Sequence, residues 1–151
     1  MSLRERFTTM MKESMKAGDK PRLAAVRMIQ AALKDKDIEA RGQGKTIGEE
    51  DILALLQKMV KSRQESLGMY EQAGREDLAA QERGEIAVIQ EFLPTQMGDE
   101  EVKAAIAAAI SETGAVAVKD MGKVVGALKA KYTGQMDFAK ASAMVKAALA
   151  G

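Results

Sequence analysis

Ile52-Leu53-Ala54-Leu55-Leu56-Gln57-Lys58-Met59-Val60 begins the stretch on which the fold turns, and it runs on through Leu67 to Tyr70. Ile52, Leu55, Leu56, Met59 and Val60 recur at the three- and four-residue spacing of a single helix face, and Leu67 and Tyr70 extend the pattern. The spacing predicts one long helix. Thr46, followed three residues later by Glu49, predicts a capping box at its start. Gly42-Gln43-Gly44 before it and Ala73-Gly74-Arg75 after it are breakers.

The same periodicity spreads in both directions. Upstream, Leu3, Phe7, Met10, Met11 and Met15 predict a helix from Leu3 to Lys16 that breaks at Gly18. A second opens at Asp19-Lys20-Pro21, where Asp caps and Pro fits the first turn, and continues through Leu23, Val26, Ile29 and Leu33 to about Arg41. Downstream, Leu78, Ile86, Ile89, Phe92 and Leu93 predict a fourth helix that Pro94 ends. Three shorter helices follow: one on Val102, Ile106, Ala109 and Ile110, one from about Asp120 to Tyr132, and one on Phe138, Val145 and Leu149. Gly114 and Gly134 separate them, and Pro94-Thr95-Gln96-Met97-Gly98 reads as the junction between two parts. The expected architecture is all-α: an N-terminal helical domain over residues 1–96, made of a helical hairpin plus two long helices, and a C-terminal three-helix domain over 97–151.

Composition agrees with that reading and narrows the chemistry. The chain has 151 residues, 46% hydrophobic and 30% charged, with only 3% aromatic and two prolines. It contains neither His nor Cys, which removes disulfides, thiolate nucleophiles, His-based metal sites and every imidazole base. Carboxylate, Lys, Tyr and Ser/Thr chemistry remain, a narrow menu that moves the expectation from catalysis toward binding, with no metal and no cofactor. No apolar stretch is long enough for a signal peptide or a spanning helix, so cytoplasmic residence without a membrane partner is expected.

The formal net charge of +1 conceals opposite blocks. Residues 1–48 carry eleven Lys/Arg against six Asp/Glu, residues 49–98 five against ten, and residues 99–118 one against four. Residues 119–151 reverse the sign, with Lys119, Lys123, Lys129, Lys131, Lys140 and Lys146 against Asp120 and Asp137. Such an excess on a terminal helix pair is a polyanion contact in outline.

Several motifs have ordinary explanations. Gly44-Lys45-Thr46 resembles the end of a phosphate-binding loop, but Glu39 stands where the pattern needs Gly, which leaves a turn leading into a helix cap. The triplets Glu49-Glu50-Asp51 and Asp99-Glu100-Glu101 fall at predicted helix N-termini, where the helix dipole favours negative charge. The methionines mostly occupy apolar stripes. Residues Lys119-Asp120-Met121-Gly122-Lys123-Val124-Val125-Gly126-Ala127-Leu128-Lys129-Ala130-Lys131 are harder to dismiss. Met121, Val124, Val125, Leu128 and Tyr132 share one helical face, with Lys119, Lys123, Gly126 and Ala130 opposite. Each glycine inside a helix costs roughly 1 kcal/mol relative to Ala, so Gly122 and Gly126 need a compensating reason. Two are available: close packing of a neighbouring helix, or close approach of a sugar-phosphate backbone bordered by lysines.

This segment, together with Ala73-Gly74-Arg75-Glu76-Asp77-Leu78 and Phe92-Leu93-Pro94-Thr95-Gln96-Met97, resembles the YqeY-type members of the GatB/YqeY family. The likeness runs nearly end to end and includes Arg27-Met28, Gln57-Lys58 and Thr113-Gly114-Ala115. Gly98 departs from it where the family commonly has a Ser cap, as does Gly84 within the fourth helix. The resemblance implies a helical N-terminal domain followed by three helices. It also implies similarity to the tail of the B subunit of glutamine-dependent aminoacyl-tRNA amidotransferases, which helps hold misacylated tRNA while other regions do the chemistry.

Carbon-nitrogen ligase activity with glutamine as amido-N-donor is therefore an association of the family. This chain has no Ser-Ser-Lys amidase constellation, and no catalytic residue is assigned. The expected function is an accessory tRNA-binding module, with amidotransferase subunits as further partners. Its interface is expected at Lys119, Gly122, Lys123, Gly126, Lys129 and Lys131, supported by Lys20, Arg22 and Arg27. The alternative is a helical protein-protein adaptor with no nucleic-acid role.

Overall fold

Each helix ends where the sequence supplies a local reason. Gly18 takes a left-handed conformation (φ 67°) and closes the first helix by donating its N–H to the Met15 carbonyl, and Gly114 (φ 70°) does the same for the fifth with Ile110. The computed structural model describes residues 1–151 and contains seven α-helices and no strand. They are α1 (Leu3–Ala17), α2 (Lys20–Gly42), α3 (Glu49–Gln72), α4 (Glu76–Gln90), α5 (Asp99–Thr113), α6 (Met121–Tyr132) and α7 (Phe138–Ala150), with one 3-10 turn at Val118–Asp120. The fold is all-α.

Three local details differ from the expectation. The start of α3 is capped at Gly48, whose N–H donates to Asp51 Oδ2 at 2.9 Å, so Thr46 and Glu49 do not form the box. Glu49 instead accepts the Leu3 N–H at 3.1 Å and ties the start of α3 to the start of α1. The fourth helix stops at Gln90 rather than Leu93. Glu91, Phe92 and Leu93 close tighter turns onto Val88, Ile89 and Gln90, because Pro94 keeps Leu93 out of the α region. Arg6 takes the Glu91 carbonyl at 2.9 Å. Lastly, Lys119 and Asp120 belong to the 3-10 turn and not to the sixth helix.

The chain divides into two compact units, Met1–Leu93 and Pro94–Gly151. In the first, α1 packs on α2, α3 on α4, and α2 on α4. Phe7, Val26, Ile29, Ile52, Leu56 and Ile89 are almost wholly excluded from water. Phe7 meets Phe92 edge to face with ring centroids 4.7 Å apart, and the Arg6 guanidinium lies 5.1 Å from the Phe92 centroid. Arg22 holds Glu91 through two hydrogen bonds of 2.7 and 2.8 Å, securing the turn after α4 to the start of α2.

In the second unit α5, α6 and α7 pack against one another around Ala105, Ile106, Val124, Leu128, Ala141 and Val145. Residues 94–98 are fastened to the turn between α6 and α7: Gln96 Nε2 donates to the Gly134 carbonyl at 2.7 Å, and the Met97 N–H to the Gln135 carbonyl at 2.9 Å.

Candidate nucleic-acid interface

The approach to α6 is set by one carboxylate. Asp120 Oδ2 accepts the N–H groups of Val116 at 3.0 Å and Ala117 at 3.3 Å, which folds the chain back on itself before the helix. The Val116 amide, with the Ala117 amide and the charges of Lys123 and Lys119 behind it, holds this carboxyl below the usual Asp range despite partial burial. Asp120 is thus committed to its own loop, and Lys119 and Lys123 are both within electrostatic reach of it.

Val124 and Leu128 anchor α6, with 0% and 1% of their surface exposed, and Met121, Val125 and Tyr132 pack around them. The remaining side is solvent-facing: Gly122, Lys123, Gly126, Lys129 and Ala130 are all exposed. At about 100° per residue, Gly126 lies midway between Lys123 and Lys129, which stand about 120° apart around the axis. Gly122 sits one turn earlier, about 40° from Gly126. A Cβ at either glycine would meet nothing within 4 Å. Close packing of a neighbouring helix therefore does not account for these glycines within the unit; they leave a stretch of bare helix backbone between two lysines.

The six expected residues do not form one cluster. Gly122, Lys123, Gly126 and Lys129 share a side of α6, and Lys119 enters from the preceding turn. Lys131 lies about 140° from Gly126 around the helix, at the edge of the buried stripe, with its ammonium 5.6 Å from the Tyr132 ring centroid. Lys140 of α7 is paired with Asp99 of α5 at 3.2 Å. Of the three supporting residues, Lys20 and Arg27 are exposed, but Arg22 is taken up by Glu91.

Sequence reading missed one feature of this surface. Val116 is 81% exposed and Val118 40%, immediately before Lys119. Their signal was available: apolar residues that follow the helix-ending Gly114 and fit no 3.6-residue stripe have no helix face to bury them. The motifs that carried the family likeness are largely structural. Phe92 is core, Gln96 and Met97 fasten the 94–98 segment, and Arg75 pairs with Asp77 at 3.2 Å beside the left-handed Gly74.

Residues 4–149 match the family described as Yqey-like protein. The chain belongs to that family. It is similar to the altered inheritance of mitochondria protein 41, mitochondrial, of Pyrenophora tritici-repentis, at 30% identity over 128 residues, covering 80% of this chain and 68% of that protein. The Saccharomyces cerevisiae protein of the same description is 29% identical over 83 residues, covering 55% of this chain and 44% of its own length. The match thus spans less than half of the yeast relative. No helix is long and apolar enough to cross a membrane.

Proposed function

We propose that the chain is an accessory tRNA-binding module related to glutamine-dependent aminoacyl-tRNA amidotransferases, working in the cytoplasm and leaving the amide-transfer chemistry to partner subunits. The observation that carries this reading is the exposed backbone at Gly122 and Gly126, flanked by Lys123 and Lys129 with no protein atom over it. A phosphate chain can approach such a surface more closely than one covered by side chains, and lysines on both flanks neutralise it. The low aromatic content makes base stacking a minor contributor, so recognition acts through the backbone and shape of the RNA.

Binding of deacylated tRNA across a salt series tests this. Affinity should fall steeply with salt as counterions are released. Lys123→Ala and Lys129→Ala should each weaken binding and flatten the salt slope, Lys131→Ala should do so less, and Lys103→Ala on α5 should leave both unchanged. Equal losses at Lys103 and at the α6 lysines would contradict the assignment. The adaptor reading has one observation in its favour, the exposed Val116 and Val118. It predicts that Val116→Ser abolishes partner capture that persists after nuclease treatment.

A further inference from the structure

A cleft of about 340 Å3 lies where the end of α2, the turn at residues 43–48 and the start of α3 come together. This is within the size range of small-molecule sites, about 300–1,000 Å3. Ala40, Ile47, Ala54 and Leu55 give it an apolar wall, and Lys36, Lys45 and Lys58 stand around it. Two carboxylates also line it, and both are occupied. Glu39 pairs with Lys36 at 3.7 Å, while Asp51 accepts the Gly48 N–H at 2.9 Å. Lys45 and Lys58 are exposed and enter no ion pair, so the cleft keeps a positive balance beside its apolar wall.

Its walls are held from behind. The Lys45 N–H bonds the Ala40 carbonyl at 2.8 Å, Arg4 reaches the Ile47 carbonyl at 3.5 Å while gripping Asp37, and Glu49 is fastened to the Leu3 N–H. Because Gly48 rather than Thr46 caps α3, the Thr46 hydroxyl is left without a bonding partner in the protein and lines the cleft. The Gly44-Lys45-Thr46 turn is thereby part of a preformed hollow.

We propose that this cleft binds a small amphipathic anion, a compact aliphatic body carrying one phosphate or carboxylate group. Charge complementarity selects the head: two unpaired lysines and a hydroxyl face an anion, and lysines, unlike arginine, impose no planar geometry on it. The lining selects the body, since no aromatic side chain is there to stack on a nucleobase and the apolar wall is aliphatic. The site is built wholly from the Met1–Leu93 unit, whereas α6 belongs to Pro94–Gly151.

Amide chemical shifts of the full chain, titrated with octyl phosphate and with octanoate, provide the test. Both should saturate below about 1 mM, with the shifts centred on residues 40, 45–47, 54 and 55. Lys45→Ala/Lys58→Ala should weaken both about fivefold or more without altering the thermal midpoint, and Ala54→Glu should abolish binding. Octanol, the apolar body alone, and inorganic phosphate, the head alone, should bind much more weakly. The proposal fails if neither octyl anion saturates, if the double lysine variant binds as tightly as the parent, or if octanol or inorganic phosphate alone reproduces the affinity.

Discussion

Two buried polar groups lack the partners that burial normally demands. Ser14 is 2% exposed and its hydroxyl makes no hydrogen bond. An unpaired hydroxyl costs desolvation energy that a methyl does not, so Ser14→Ala should be neutral or stabilising by up to about 1 kcal/mol in chemical denaturation. Destabilisation beyond that would show a bond the structure lacks. Glu82 has one carboxylate oxygen buried without a partner. Burial, followed by the neighbouring Glu85, raises its pKa, with Arg63 opposing. A carboxyl whose folded-state pKa is raised contributes stability below its unfolded pKa and loses that contribution as pH rises through the folded value. Glu82→Gln should therefore melt higher than the parent at pH 7, with the gap closing as the pH falls through the acid range. A gap independent of pH would assign the effect to packing instead.

Among the elements, α6 combines a firmly buried stripe with a bare opposite side. Leu128 is 1% exposed at the centre of the second unit, and Leu128→Ala should cost about 2–5 kcal/mol, enough to unfold much of a small three-helix unit. Far-ultraviolet circular dichroism during a urea titration would show it; a loss below about 1 kcal/mol would contradict the packing described. All seven helices were legible in the sequence because apolar spacing and Gly or Pro breakers are local signals. What escaped was non-local or bidirectional. Asp120 reads in the sequence as the start of the sixth helix, but its side chain bonds back to Val116 and Ala117 and it closes the 3-10 turn before α6. Arg22 looks like a cation available for RNA, but its partner Glu91 is 69 residues away. The glycines of α6 were visible as anomalies, and only the surrounding space could separate the packing explanation from the open-surface one.

At the scale of the whole molecule, the sequence blocks of charge do not translate into charged units. Met1–Leu93 contains sixteen Lys/Arg and sixteen Asp/Glu, and Pro94–Gly151 seven against six. Among the acids of residues 49–98, Glu91 is paired with Arg22, Glu85 with Arg63 and Glu76 with Arg83, all within the same unit. Neither unit has the net charge to draw RNA from a distance, so the proposed tRNA binding requires close approach at the α6 surface.

That requirement makes the glycine positions decisive. Gly122→Gln and Gly126→Gln replace poor helix formers with a good one at sites where a Cβ meets nothing, so together they should stabilise the protein by about 1 kcal/mol. The same side chains would cover the backbone between Lys123 and Lys129 without changing its charge. The most direct measurement is therefore tRNA affinity at low salt for the Gly122→Gln/Gly126→Gln variant, with its stability determined in parallel. The account predicts a protein that is more stable and binds tRNA at least about threefold more weakly. A more stable variant with unchanged tRNA affinity would contradict it.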